Sequence, residues 1–245
     1  RHVHVTLHAA LADAKRQRLI GYNPADDAVL PKAKRAPISA SQVWTADELL
    51  KFLKAVQDDR LGVLWQVMGT TGLRRGEALG LRWDDVDLEH GTLRVRDTRT
   101  SVGYEVHEGG PKSEAGKRLV PMLPATTAAL KAWKARQNAE RLAWGAGWQD
   151  TGHVFTRENG EPWHPDRISK LFARAVADAK VPRMRLHDLR HGFATYHIAN
   201  GTQAKHLQKL MGHSRIGVTL DTYVHPEYED LAAAQANLAA VLTTK

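Results

Sequence analysis

From Pro124 onward the chain carries one helix-length apolar pattern after another, and this limits its fold more than any other feature. Segments 125–144, 165–179, 186–199, 203–211, 216–223 and 228–242 each space their apolar residues as a helix does. Upstream lie three strand-like runs, Thr92 to Arg96, Tyr104 to His107 and Arg118 to Met122, separated by turns that contain Gly and Ser. Residues 61–69 are apolar and helical, a second short helix opens over Glu77 to Leu81, and His153 to Thr156 reads as an extended connector. Thr45 and Glu48 form a capping box ahead of Leu49, Leu50, Phe52 and Leu53. The expected class is therefore mainly α with one small antiparallel β-sheet.

The front of the chain reads as a separate piece. Val3, Leu7, Ala10, Leu11 and Ala14 share one face of a helix expected over residues 2–19, stopped by Gly21, Asn23 and Pro24. One amphipathic helix has nothing of its own to bury that face against, so residues 1–30 are expected to close a domain whose earlier part lies outside this sequence. Residues 31–43, with two prolines and the cations Lys32, Lys34 and Arg35, read as an extended basic linker. A second domain is expected over residues 44–245, with 228–242 as its final helix.

Composition narrows the chemistry. The chain has no cysteine, which excludes disulfides, thiolate metal sites and cysteine nucleophiles. Lys and Arg number 35 against 27 Asp and Glu, a formal charge of +8, so a polyanion is the natural partner. No segment reaches the apolar length of a membrane span. The seven tryptophans form no aromatic surface motif and read as packing residues.

Scattered along the second domain is an ordered polar set: Arg74 in T-G-L-R-R-G-E, Lys112 in P-K-S, His187 and Arg190 in H-D-L-R-H, His213 in L-M-G-H and Tyr223 in D-T-Y. Cutting a phosphodiester with a protein nucleophile needs these types of group: a nucleophile, cations for the phosphorus centre and proton donors for the leaving oxygen. Arg190 falls among Leu186, Leu189 and Phe193, where a buried guanidinium needs an anion to offset its charge. His187 and His191 are four residues apart, a spacing also used by zinc sites, but no acid or third ligand stands at a recognisable distance. Tyr223, between Leu220 and Val224, fits a core position as well as a nucleophile.

In those boxes, the chain resembles the tyrosine recombinases, the family of phage integrases and of the Cre and Xer recombinases. T-G-L-R-R-G-E-A-L-G-L looks like the first arginine box, with Arg74 catalytic and Glu77 its supporting acid. P-K-S-E-A-G-K-R-L-V-P looks like the hairpin with the catalytic lysine, Lys112, which follows Pro111 as the family pattern has it; Lys117 competes for that role. H-D-L-R-H supplies His187, Arg190 and the supporting His191, and L-M-G-H-S-R-I-G-V-T-L-D-T-Y supplies His213 and the nucleophile Tyr223. Gly192 stands where a hydroxyl residue is common. The first helix and linker look like the end of the family's DNA core-binding domain, with Lys32, Lys34 and Arg35 on the DNA backbone.

The resemblance implies cleavage of double-stranded DNA at attachment-like sites through a 3′-phosphotyrosine, with rejoining and without metal, ATP or any other cofactor. It also implies a tetramer on synapsed DNA, possible help from DNA-bending accessory proteins, and a cytoplasmic, nucleoid-associated place in a bacterial host. The helix 228–242 either packs on its own domain or docks on a neighbouring copy. Three rivals stay open at this point: a type IB topoisomerase with the same chemistry, a DNA-binding module without catalysis, and a soluble metalloenzyme.

Overall fold

The computed structural model describes residues 2–30, 43–110, 114–217 and 219. Lys32, Lys34, Arg35, Lys112, Tyr223 and the helix expected over 228–242 lie outside the described residues. The chain divides into two compact units, Arg1–Pro37 and Ile38–Lys245.

In the first unit, α1 runs His2–Arg16 and ends before the expected residue 19. Arg18 turns left-handed (φ 59°) and the Leu19 N–H bonds back to the Ala14 carbonyl at 2.9 Å, so the chain closes its own helix end ahead of Gly21. Asn23 fastens the following turn by donating to the His8 carbonyl (3.2 Å) and accepting from the Ala25 N–H (3.0 Å). Val3 and Leu7 on the apolar face stand exposed.

The second unit begins with α2 (Ala46–Ala55), capped by the expected Thr45–Glu48 box: Glu48 N–H to Thr45 Oγ1 at 3.2 Å, Thr45 N–H to Glu48 Oε2 at 2.8 Å. Next come α3 (Gly62–Thr71) and the single-turn α4 (Arg75–Leu79). Five short strands follow: β1 (Val86–Asp87), β2 (Thr92–Val95), β3 (Thr98–Val102), β4 (Glu105–Gly109) and β5 (Arg118–Pro121). The helices α5 (Pro124–Trp144), α6 (Pro165–Asp178), α7 (Asp188–Ala199) and α8 (Ala204–Met211) complete the described elements. No helix among the described residues is long and apolar enough to cross a membrane.

The strands form two sheets, which corrects the expected single one. Among the described residues one sheet is ordered β1-β2-β5, and β3 pairs with β4 in a separate hairpin. The physical reason is the tight turn at Gly103 (φ 62°), which folds Val102 onto Glu105 and gives β4 a local partner in a run whose polar residues hid β3. Register in the three-stranded sheet pairs Leu93 with Val120 and Val95 with Arg118. Side chains alternate, so Leu93, Val95 and Val120 enter the core. Arg118 shares the parity of Val120.

α3 is buried on nearly every side and packs against α2, α4, α5 and α7. Beneath it, Trp44, Phe52, Trp65 and Phe172 form an aromatic cluster, with Trp65 edge-on to Phe172 at 5.2 Å between centroids. This packing fixes both ends of the polar set. α3 delivers the chain to Arg74, and α7 carries Arg190 against it.

Gly72 joins the two. It ends α3 in the left-handed conformation (φ 65°), and a Cβ there would lie 2.5 Å from the Phe193 ring on α7. Gly72→Ala should therefore lower stability by about 2 kcal/mol or more, the sum of backbone strain and overpacking. Urea denaturation would check this; a loss below about 0.5 kcal/mol would show that the contact relaxes freely.

Candidate active site

The polar set converges on one buried carboxylate. Arg74 immediately precedes α4, and the R-x-x-E spacing of its first turn brings Glu77 back to it: the Arg74 N–H donates to Glu77 Oε2 (2.9 Å) and Arg74 Nη1 to Oε1 (2.6 Å). From β5, Arg118 donates Nη1 to Oε1 (3.1 Å) and Nη2 to Oε2 (2.9 Å). From α7, Arg190 brings Nη1 to 4.0 Å from Oε2. Glu77 is 1% exposed, Arg190 3% and Arg118 6%, whereas Arg74 keeps 41% of its side chain in solvent. Three guanidiniums thus surround one carboxylate, and the cluster carries an excess of positive charge toward the open side of Arg74.

Burial alone would raise the Glu77 pKa; the hydrogen bond and charge of Arg118, then the charge of Arg74, override it and hold it at about 2. The anion that a buried Arg190 requires is therefore Glu77, aided by two carbonyls: Arg190 Nη1 donates to Gly72 O (2.6 Å) and Nη2 to Met211 O (2.5 Å). Gly72 and Gly212, both left-handed at helix ends, thus lie beside the arginines that their loops help to hold.

The histidines sit around this cluster. α8 ends at Gly212 (φ 62°), and the next residue, His213, directs Nδ1 to the buried Thr219 Oγ1 at 2.8 Å. Loss of water, then the charges of Arg190, Arg74 and Arg118, lower the His213 pKa to about 4, so its ring is neutral at neutral pH. His187 occupies the position just before α7 rather than lying inside the helix as expected. Its pKa is lowered by loss of water and by Arg190, and that of His191 by loss of water and by His187. The two rings meet edge to face at 4.9 Å between centroids. No group of three or more His, Cys, Asp or Glu suited to hold a metal ion occurs among the described residues.

The structure thus brings together Arg74, Glu77, His187, Arg190, His191 and His213, each named by the sequence motifs. Lys117, the competitor for the lysine role, is exposed and paired with Glu114 Oε1 at 2.9 Å. Contributors that escaped the sequence reading are Arg118, Thr219 and the Gly72 and Met211 carbonyls. For Arg118 a signal existed, because strand alternation sets it on the same face as Val120. Nothing local distinguishes Thr219 or a main-chain carbonyl.

The sequence profile described as the phage integrase family matches residues 42–230. A tyrosine recombinase XerC-like protein of Caldanaerobacter subterraneus subsp. tengcongensis is 32% identical over 196 residues, covering 75% of this chain and 50% of that protein. The ICEBs1 integrase of Bacillus subtilis is 26% identical, covering 86% of this chain and 57% of that protein. The chain spans about half the length of the curated relatives it matches. Among solved structures, the Tn1549 transposon integrase in complex with transposon right end DNA is similar at a TM-score of 0.77 and 26% identity, covering 96% of this chain and 78% of that one.

The Glu77 carboxylate should make stability depend on pH. Its folded pKa of about 2 lies below the ordinary 4.5, so its contribution is complete above about pH 5 and is lost as pH falls toward 2. A gap of that size corresponds to about 3 kcal/mol. Glu77→Gln should lose about that much at neutral pH and show a flatter fall in acid. Urea midpoints measured from pH 7 to pH 3 would test it, and parallel curves for the two proteins would contradict it.

Proposed function

The chain belongs to the phage integrase family, and on that premise we propose that it is the catalytic part of a site-specific DNA recombinase that cuts and rejoins strands through a 3′-phosphotyrosine. The observation that carries this reading is the cluster itself: three arginines share one buried carboxylate, with a neutral His213 beside them. A phosphodiester enters with one negative charge and gains more as the transition state forms. A site that is already fixed and net positive stabilises that change without reorganising.

Arg74, half exposed, and Arg190 would bind the non-bridging oxygens through planar forks. The Tyr223 oxygen attacks phosphorus, the bond to the 5′-oxygen breaks, and Lys112 gives that oxygen a proton. The product is a 3′-phosphotyrosine and a free 5′-hydroxyl. His187 assists transfer of the tyrosine proton, and His213 donates a hydrogen bond to a phosphate oxygen. When Thr219 donates to Nδ1 of His213, Nε2 carries the proton that this role needs. Glu77 and His191 support the arginines and His187. Rejoining is the same displacement in reverse, with a 5′-hydroxyl as nucleophile, so the ester energy is conserved and no ATP or metal is drawn in.

The DNA partner is a duplex attachment-like site, with Lys32, Lys34 and Arg35 on its backbone. Assembly is a tetramer on synapsed DNA, in which segment 228–242 of one copy docks on the next. Support for this comes from the apolar spacing of Leu231, Leu238, Val241 and Leu242, and from an apolar groove of about 610 Å³ lined by Trp44, Leu49, Leu53, Leu189, Phe193 and Tyr196. Accessory DNA-bending proteins, and a nucleoid-associated place in the bacterial cytoplasm, complete the reading.

Tyr223→Phe should keep DNA binding and form no covalent adduct on a nicked suicide duplex, since it removes one oxygen and little volume; an adduct from this variant would move the nucleophile elsewhere. Supercoil relaxation with no preferred site would favour topoisomerase activity instead. Arg190→Lys keeps the charge but loses the fork, and should slow single-turnover cleavage at saturating DNA by about a hundredfold or more. A rate within a few-fold of wild type would remove Arg190 from contact with the phosphate.

A further inference from the structure

We propose that Arg118 is the positioning residue of this site: it fixes Glu77, and through Glu77 it aims Arg74. The inference rests on the reading of the cluster as a phosphate-transfer site. All three nitrogens of the Arg118 guanidinium are spent on the protein. Nε donates to Leu210 O (2.6 Å), Nη1 to Gly116 O (3.1 Å) and Glu77 Oε1 (3.1 Å), and Nη2 to Glu77 Oε2 (2.9 Å). Four of its five N–H donors are thus committed to protein acceptors, whereas Arg74 keeps 41% of its side chain in solvent. Arg118 therefore acts through other groups.

Those groups belong to three separate segments, which Arg118 ties together. Glu77 belongs to α4, Gly116 to the turn Glu114–Gly116 ahead of β5, and Leu210 to the last turn of α8, three residues before His213. The approach is close enough that a Cβ on Gly212 would lie 2.8 Å from Arg118 Nη1. The glycine of L-M-G-H thus has two reasons to be there, its left-handed backbone and the guanidinium against it.

The groups facing Glu77 are Arg74 ahead of α4, Arg118 on β5, Arg190 on α7 and His213 after α8. Without Arg118, desolvation of the carboxyl is no longer offset by its largest partner, and Glu77 takes up a proton at a higher pH. A protonated Glu77 loses its charge and turns one oxygen into a donor and a weak acceptor, so its hold on the Arg74 N–H and Nη1 slackens. The aim of Arg74 is then lost in acid.

The test compares wild type, Arg118→Met, Glu77→Gln and the double variant, with Arg118→Lys as the fuller-charged substitute should the methionine variant not fold. Carbon NMR of the Glu77 carboxyl is expected to show ionisation throughout pH 4 to 8 in wild type and a titration inside that window in Arg118→Met or Arg118→Lys, with the Arg74 side-chain nitrogen signals shifting alongside. Cleavage at saturating DNA is expected to fall about thirtyfold or more, with DNA affinity within about threefold, and to gain an acid limb that Glu77→Gln abolishes. The double variant should be no slower than the slower single one. Unchanged Glu77 titration, or equal slowing at every pH with additive single effects, overturns the inference. If wild type forms no adduct on any duplex, the functional reading fails, while the Glu77 and Arg74 signals still decide whether Arg118 positions them.

Discussion

The site depends on one ionised carboxylate held out of water. Glu77 would be costly to bury alone, and three arginines would be costlier still to gather alone. Each requirement answers the other. The carboxylate draws guanidiniums from the start of α4, from β5 and from α7, so elements far apart in sequence are locked at a single point. Because three cations share one anion, the lock is left positive, and that residual charge lies where Arg74 opens to solvent. Structure and chemistry here are the same interaction seen from two sides.

The rest of the unit serves this point. α3, buried along its length, provides a stiff base, and its left-handed exit at Gly72 both starts the Arg74 turn and gives Arg190 a carbonyl. α8 does the same from the other direction: its left-handed exit at Gly212 admits Arg118 and passes the chain to His213. Burial, and after it the charges so assembled, lowers the pKa of His187 and His213, so the cluster gains no further cation from His213 at neutral pH. Within the described residues, the site is built from main-chain turns as much as from side chains.

Much of this was legible in the sequence because the signals were local. The Thr45–Glu48 cap and the helices from Pro124 onward follow from spacing, and Arg74 with Glu77 is legible as an R-x-x-E turn. What escaped depended on distant partners. β3 has the polar sequence T-R-T-S-V and becomes a strand because the Gly103 turn folds β4 against it. Arg118 looked like the ordinary cationic start of a strand. Strand alternation with Val120 turns it inward, but the carboxylate it meets there lies 41 residues earlier in the chain, which no local spacing reveals. The helix expected from residue 186 begins at Asp188, since the Asp188 carboxylate takes the Arg185 N–H at 3.2 Å and closes the turn there, which leaves His187 just ahead of it.

The central claim, that the surplus positive charge around Glu77 exists for a DNA phosphate, has a direct test. Arg190→Ala would be assayed for adduct formation on suicide duplexes carrying either a normal scissile phosphate or a methylphosphonate, which lacks the negative non-bridging oxygen. If the arginine serves to neutralise that oxygen, the variant should fail on the phosphate and recover cleavage on the neutral analogue. Equal failure on both substrates, in a variant that folds and binds DNA as wild type does, would contradict the account.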